Sequence, residues 1–506
     1  MTVTSIQQTE KAFFEEIKKI LAYQEALNLI YWDLRTKAPA KAVEGRSQVI
    51  GTLTGEVYQL MTSEKMREYV GELLDPGVRD RLSEITVKSA EHLKKEIDRM
   101  IKIPSDEYRQ FVELQAKSES VWEEAKEKRD FQLFKPYLEQ LVEMTKKFIG
   151  YWGYEGHPYN TLLDQYEPGM TVEQLDTVFR QLRDGIVRLL EKIEGSNVRW
   201  NSEFLHTRFP KEKQEDFSLE ILRQLGYDFA AGRLDETVHP FAIGLNGGDV
   251  RITTKYNEQD FRVAIFGTIH EAGHAIYEQN FSERLKGTPL FGGASMGIHE
   301  SQSLFHENFI GRNLHFWEHN YGLLQQYAGG AFDSVSLDDF YRAINEVKPS
   351  LIRIEADELT YPLHIIIRYE LEKALFTGEL AVDDLPAVWN DKYEQYLGVR
   401  PEHDGHGVLQ DVHWSSASFG YFPSYALGYM YAAQLKAAML KSIPDFDRLL
   451  AKGEIAPIRK WLTEHVHQYG RLKKPLEILR DAAGEGLNAS HLLNYLREKY
   501  AYIYQF

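Results

Sequence analysis

Through the first 150 residues, apolar side chains return every three or four positions, and charged residues fill the positions between. That period gathers the apolar residues on one stripe of an α-helix and leaves a polar stripe opposite. It predicts helices over 5–32, 45–74, 78–102, 105–129 and 136–150. Pro76-Gly77 and Pro104 separate successive stretches where a helix has to break. Pro136 suits the first turn of its helix, where the missing N–H has no intrahelical partner to lose. Helical periodicity resumes at 337–347, 362–376, 383–396, 423–441 and 445–469. Strand-like alternation has one good candidate, residues 249–256, rich in β-branched side chains and placed to wall a cleft. With no repeat, low-complexity tract or Gly/Ser linker, residues 1–506 read as one mainly α domain, with a central groove between two helical lobes.

The stretch after that strand carries chemistry. A polar entry, Asn257-Glu258-Gln259-Asp260, leads into an apolar body of Phe261, Val263, Ala264, Ile265, Ile269 and Ile276. Within this helix lies His270-Glu271-Ala272-Gly273-His274. Residues i and i+4 share a helix face, so both imidazoles can reach one ion. Glu271 then projects near that ion without ligating it, as a carboxylate able to take a proton from an activated water. Gly273 costs the helix about 1 kcal/mol relative to alanine. It belongs where a substrate or a packed helix must come close.

Composition narrows the options. The chain contains no cysteine, which excludes disulfides, thiolate ligands and a cysteine nucleophile, so a metal must be held by His, Asp or Glu. The formal charge of −17 argues against nucleic-acid binding, which needs a basic footprint. No apolar run approaches the roughly 18 residues of a membrane span. Residues 1–8 show neither a basic nor an apolar targeting region. The expected compartment is the cytoplasm.

A catalytic zinc takes three protein ligands and keeps one position open. A third histidine six residues past the second is excluded, because Asn280 stands there. The next strong candidate is Glu300, in His299-Glu300-Ser301-Gln302, after a connection containing Gly287, Gly292, Gly293 and Gly297. Alternatively, Glu300 is a solvent-facing first-turn glutamate favoured by the helix dipole. The paired histidines upstream favour the ligand. Two imidazoles and one carboxylate accept zinc, and cobalt or manganese can substitute.

The order of these motifs resembles the M32 family of metallocarboxypeptidases. H-E-A-G-H followed by H-E-S-Q carries the resemblance, together with His239-Pro240-Phe241 and Asp249-Val250-Arg251-Ile252-Thr253. Two further blocks agree, Ile352-Arg353-Ile354-Glu355-Ala356-Asp357 and Gly407-Val408-Leu409-Gln410-Asp411-Val412-His413-Trp414. The resemblance implies a mostly α-helical peptidase similar to angiotensin-converting enzyme and neurolysin. It also implies a deep groove with a small β-sheet, helices of about 1–150 over it, and the metal site within 239–425. It further implies a homodimer that removes C-terminal residues from peptides with a free C-terminus, broadly but not next to proline.

On this reading His270, His274 and Glu300 hold the ion and Glu271 is the general base. The oxyanion needs a further donor; His413 comes first, then Tyr421 or Tyr425, which lie in or after the H-W block. Arg353 is the candidate for gripping the substrate carboxylate through two parallel hydrogen bonds. The competing role for Arg353 is an ion pair with Asp357 or Glu355. His239, Gln410 and Asp411 are assigned to substrate binding, with Gln410 and Asp411 also placed to orient His413. Arg251, beside Asp249, reads as structural. His403, Asp404, His406 and His413 are set aside as a second metal site, because the loop is broken by glycine. Two other readings stay open: an oligopeptidase cutting internal bonds with the same site, and a catalytically silent helical binding protein.

Overall fold

The computed structural model describes residues 3–506. Helices dominate, and a single three-stranded sheet interrupts them. The first helix, Val3–Thr36, buries Phe13, Ile17 and Ile20 on one stripe. The helix expected over 45–74 is two, Val43–Thr62 and Glu64–Leu73. Ser63 divides them: its extended backbone stops the first, and its hydroxyl accepts from Met66 N at 3.1 Å to cap the second. Ser83 likewise caps Glu84–Lys102, and Pro76–Arg79 forms a separate short turn capped by Asp75. The expected 136–150 helix begins earlier, as Phe131–Trp152, because Asp130 accepts from Gln132 N at 3.0 Å. Pro136 therefore sits inside the helix and not in its first turn.

Other helices lie outside the stretches expected from the sequence. Val172–Glu194 opens on a Thr171–Gln174 capping box and buries Leu175, Phe179, Leu182 and Ile186. Tyr159–Tyr166, Lys211–Leu225, Leu314–Tyr327, Pro475–Ala483 and Ser490–Tyr504 join it. The stretch expected as 445–469 divides into Phe446–Ala451 and Ala456–His465, parted by Gly453 at φ +71°.

Strands β1 (Leu234–Glu236), β2 (Ala242–Asn246) and β3 (Asp249–Thr254) are ordered β1-β3-β2. β3 pairs parallel with β1 and antiparallel with β2, with Gly244 opposite Val250. Val250 and Ile252 point into the main core, fully buried, so β3 is the strand the alternation exposed. β1 and β2 are short and half-buried, which leaves little periodicity to read.

Two larger apolar cores and a small cluster of Leu285, Leu290 and Leu472 hold the described residues together. Most buried side chains form one continuous cluster. A smaller one joins Phe13, Ile17, Ile20, Met61, Met66, Val70, Leu73, Ala90, Leu93 and Ile97 into an N-terminal lobe. This lobe meets the sheet through Asn28 Nδ2, which donates to Gly244 O at 3.1 Å, and through Asn246 Nδ2, which donates to Glu25 at 2.8 Å. On its other flank Lys95 and Arg99 pair with Asp164 at 2.6 and 3.1 Å. Between the lobes runs a groove of about 1740 Å³, lined from both sides.

Candidate active site

The motif helix, Phe261–Gln279, starts at Asp260, whose carboxylate accepts from Arg262 N at 3.1 Å. Gly273 faces the next helix, Met296–Leu304: a Cβ there would lie 2.6 Å from the Cα of Ser303. Close helix packing therefore accounts for this glycine. Gly428, in the helix Pro423–Met439, plays the same part on the other side, where a Cβ would come within 2.7 Å of Glu300 Cβ. The helix carrying Glu300 is thus wedged between two backbones at glycine contacts. Beyond Leu304 the chain continues as a π-helical turn, Phe305–Gly311, a deformation common at functional sites.

This packing brings three donor groups together. Nε2 of His270 lies 3.9 Å from Glu300 Oε2, and Nε2 of His274 lies 3.5 Å from the same oxygen. The ligand atoms of all three residues fall within 4.8 Å of one another. A tetrahedral zinc with bonds of roughly 2.0–2.1 Å separates its ligands by about 3.3 Å, so the trio fits with a small contraction. Among the described residues it is the one group of three that meets this condition.

Each imidazole is held from behind. His270 Nδ1 lies 2.9 Å from Glu307 Oε2, and Arg312 Nη2 donates to the other Glu307 oxygen at 3.0 Å. His274 Nδ1 lies 3.0 Å from the carbonyl oxygen of His299. Both contacts suit a proton on Nδ1 and turn Nε2 toward Glu300. The His299 ring packs on that of His274 at 4.6 Å and reaches Glu278 through Nε2 at 2.8 Å.

Charge follows from burial and neighbours. Burial lowers the His274 pKa to about 4, which keeps the ring neutral as a ligand requires. Burial acts the same way on His270, but Glu300 and the Glu307 hydrogen bond outweigh it and raise its pKa to about 10. A place where carboxylates retain a proton on imidazole is also one that favours a metal cation. Burial would raise Glu300, yet His270 and His274 hold its carboxyl below the usual range. Glu271 is 7% exposed, and burial lifts its pKa to about 7 against the opposing pull of His270.

Glu271, Tyr421, Tyr425, Arg353 and Tyr361 line the same groove as the trio. His413 does not; it backs Tyr425, with Nε2 3.1 Å from the phenol oxygen. Burial lowers the His413 pKa to about 4, so the ring is neutral. The residue expected first as oxyanion donor thus touches the Tyr425 phenol and does not itself line the groove. His239 is exposed in the turn between β1 and β2, while Pro240 and Phe241 of its block reach the groove. Gln410 lies outside the groove and fixes backbone, accepting from Arg353 N at 2.9 Å and donating to Leu351 O at 3.0 Å.

Arg353 is 7% exposed and pairs with Asp411 at 2.9 Å, not with Asp357 or Glu355. Asp357 instead accepts from Leu359 N and Thr360 N, and Glu355 is exposed. Asp411 also takes Arg368 at 2.6 Å, so it serves as a counter-ion and does not line the groove. Two guanidiniums on one carboxylate leave a positive charge uncompensated. Arg353 Nη1 in addition donates to Tyr361 at 3.2 Å. Arg251 pairs with Asp249 at 2.7 Å and lies over Trp32. Asp404 accepts from Phe131 N at 3.2 Å, which ties the His403–His406 loop into the fold.

Glu307, Arg312, His299, Glu278, Tyr361 and Arg368 gained no role from the sequence. Glu307 left one readable signal: it follows Glu300 by seven residues, two helical turns along the same face.

The pattern of the Carboxypeptidase Taq (M32) metallopeptidase family matches residues 12–500. Carboxypeptidase 1 of Bacillus subtilis is 57% identical over 499 residues, 99% of each chain. Thermostable carboxypeptidase 1 of Thermus thermophilus is 41% identical, covering 97% of this chain and 98% of the relative. Among solved structures, an M32 carboxypeptidase from Deinococcus radiodurans superposes with a TM-score of 0.96 at 36% identity, over 99% of this chain and 100% of that one.

Proposed function

As the chain belongs to the Carboxypeptidase Taq (M32) metallopeptidase family and is a metal-dependent carboxypeptidase, we propose that His270, His274 and Glu300 hold its catalytic ion and that Glu271 is the general base. The observation that carries this reading is the convergence of the three ligand atoms within 4.8 Å, beside a buried glutamate in the same groove. Zinc is the ion proposed, with cobalt or manganese able to replace it, since the donors are two imidazoles and one carboxylate. Bound there, a divalent ion supplies Lewis acidity to the scissile carbonyl and acidifies water.

The residues of the chain do the rest. Glu271, with a pKa near neutrality, takes a proton from the attacking water and returns it to the departing amine. Tyr425 donates its hydroxyl to the developing oxyanion, with Tyr421 beside it at 5.2 Å between ring centres. Burial raises the Tyr425 pKa to about 12, so the phenol keeps its proton. His413 Nε2 lies 3.1 Å from the Tyr425 oxygen, and with its proton on Nε2 the ring leaves the phenolic hydrogen free for substrate. Arg353 receives the terminal carboxylate of the peptide, and Asp411 aligns the guanidinium.

The substrates are peptides with a free C-terminus, trimmed with broad specificity except next to proline. We further propose a homodimer, which the family resemblance implies, acting in the cytoplasm. No described helix is long and apolar enough to cross a membrane.

The variant Glu271→Gln tests the assignment. It is expected to bind one equivalent of zinc while turnover of a free-acid peptide falls by roughly 100- to 10,000-fold. Retained turnover would remove Glu271 from this role.

A further inference from the structure

The helix that carries Glu300 is fixed along its axis by a group far away in sequence. Glu167 follows the short helix Tyr159–Tyr166 and is 1% exposed. Its carboxylate accepts three hydrogen bonds, each at 2.9 Å: from Ser295 Oγ, Gly297 N and Tyr431 Oη. Ser295 is the N-cap of the Glu300 helix and itself accepts from Ile298 N at 2.9 Å. Gly297 offers one of the first-turn N–H groups that the helix cannot satisfy internally. Tyr431 belongs to the neighbouring helix, Pro423–Met439.

The spacing on the two helices matches. Gly297 and Glu300 are three residues apart on one, and Gly428 and Tyr431 are three apart on the other, so each pair shares a face. Gly428 meets the stem of Glu300, while Tyr431 and Gly297 meet at Glu167. A Cβ at position 297 would lie 2.5 Å from Glu167 Oε2 and 3.1 Å from the Tyr431 ring, so the approach is as close as glycine allows. A slide of the Glu300 helix along its partner would break the bonds to Glu167.

We propose that Glu167 is a positioning residue that sets the register of the Glu300 helix, and through it the place of the Glu300 carboxylate at the metal. This rests on the reading of Glu300 as a ligand. Removing the buried carboxylate would leave a hydroxyl, a phenol and a backbone N–H without their acceptor. The consequence at the metal is that of losing an outer-shell partner, roughly 10- to 100-fold in affinity.

Cobalt(II) titration of the metal-stripped full-length chain tests this by visible absorption and chelator competition. Glu167→Gln is expected to bind cobalt roughly 10-fold or more weakly than the parent. Tyr431→Phe removes one bond and is expected to shift affinity in the same direction if the first variant does not fold. The control is Glu372→Gln. Glu372 is an equally buried carboxyl that accepts from Tyr159, Trp414 and Gly420 and makes no hydrogen bond to the Glu300 helix. It is expected to lose stability yet keep parental cobalt affinity. Parental affinity in both Glu167→Gln and Tyr431→Phe overturns the proposal, as does an equal loss in Glu372→Gln. Glu300→Gln separates the two readings: if it binds cobalt as tightly as the parent, the ligand assignment falls, and the Glu167 proposal with it.

Discussion

Glu307 holds His270 from behind: the carboxylate oxygen lies 2.9 Å from Nδ1, on the side of the ring away from Glu300. The contact suits a proton on Nδ1 and adds negative charge behind the imidazole proposed as a ligand. Arg312 keeps Glu307 ionised, and together with the His270 hydrogen bond it draws the Glu307 pKa down to about 2 in spite of burial. Glu307→Ala is expected to weaken zinc binding roughly 10- to 100-fold, measured against a competing chelator. Unchanged affinity would show that His270 needs no such support.

The two groove tyrosines differ in what stands behind them. Tyr425 has His413 at its oxygen, and Tyr421 lies edge-on to Tyr166. Tyr425→Phe is therefore expected to lower kcat by about 100- to 1000-fold, the usual loss for one oxyanion donor, with KM changed little. Tyr421→Phe is expected to cost less. Steady-state kinetics on one free-acid peptide decide the order, and a larger loss in Tyr421→Phe would exchange the roles.

Arg353 faces the groove with a charge that Asp411, shared with Arg368, does not cancel. Arg353→Ala is expected to reduce kcat/KM for a free-acid peptide at least about 10-fold, since one charge-assisted contact is worth roughly 1.5–3 kcal/mol. The slow residual cleavage of the amidated form should change less. Equal losses on both would make the residue structural.

Asp411 offers a test away from the chemistry. Burial would raise its pKa, but Arg368 and Arg353 overcome this and hold it well below the ordinary 3.8. A carboxyl with a lowered folded pKa contributes fully above its unfolded value, and that contribution is lost as pH falls toward the folded one. Asp411→Asn leaves two buried guanidiniums without a counter-ion and is expected to cost about 3–5 kcal/mol. In urea unfolding, the gap between parent and variant should be flat through neutral pH and close only below pH 3.8. A gap that closed at alkaline pH instead would contradict the pairing.

The convergence of His270, His274 and Glu300 was legible because the spacing of the histidines is local: they share a helix face wherever that helix packs. Glu300 was accessible by the same kind of reading, one helix later. The supports behind them were not, because Glu307, Glu278 and Arg368 acquire their roles only when separate elements meet. Family blocks pointed to His239, Gln410, Asp411 and His413 without saying how each acts. The fold shows Gln410 and Asp411 as scaffolding for Arg353 and shows His413 as the partner of Tyr425. Helix boundaries slipped at Ser63, Ser83 and Asp130, where one capping side chain ends or begins a helix within an unbroken apolar rhythm. Gly273 was readable as a close approach, and its neighbour proved to be the Glu300 helix.

The proposed hold of His270, His274 and Glu300 on the catalytic ion turns on where the metal sits. Crystals of the zinc-loaded chain, measured at the zinc absorption edge, test it most directly. One strong anomalous peak per chain is expected, roughly 2.0–2.2 Å from both Nε2 atoms and a Glu300 oxygen. A main peak elsewhere, such as beside His403 and His406, or one that lacks Glu300 among its contacts, would contradict it.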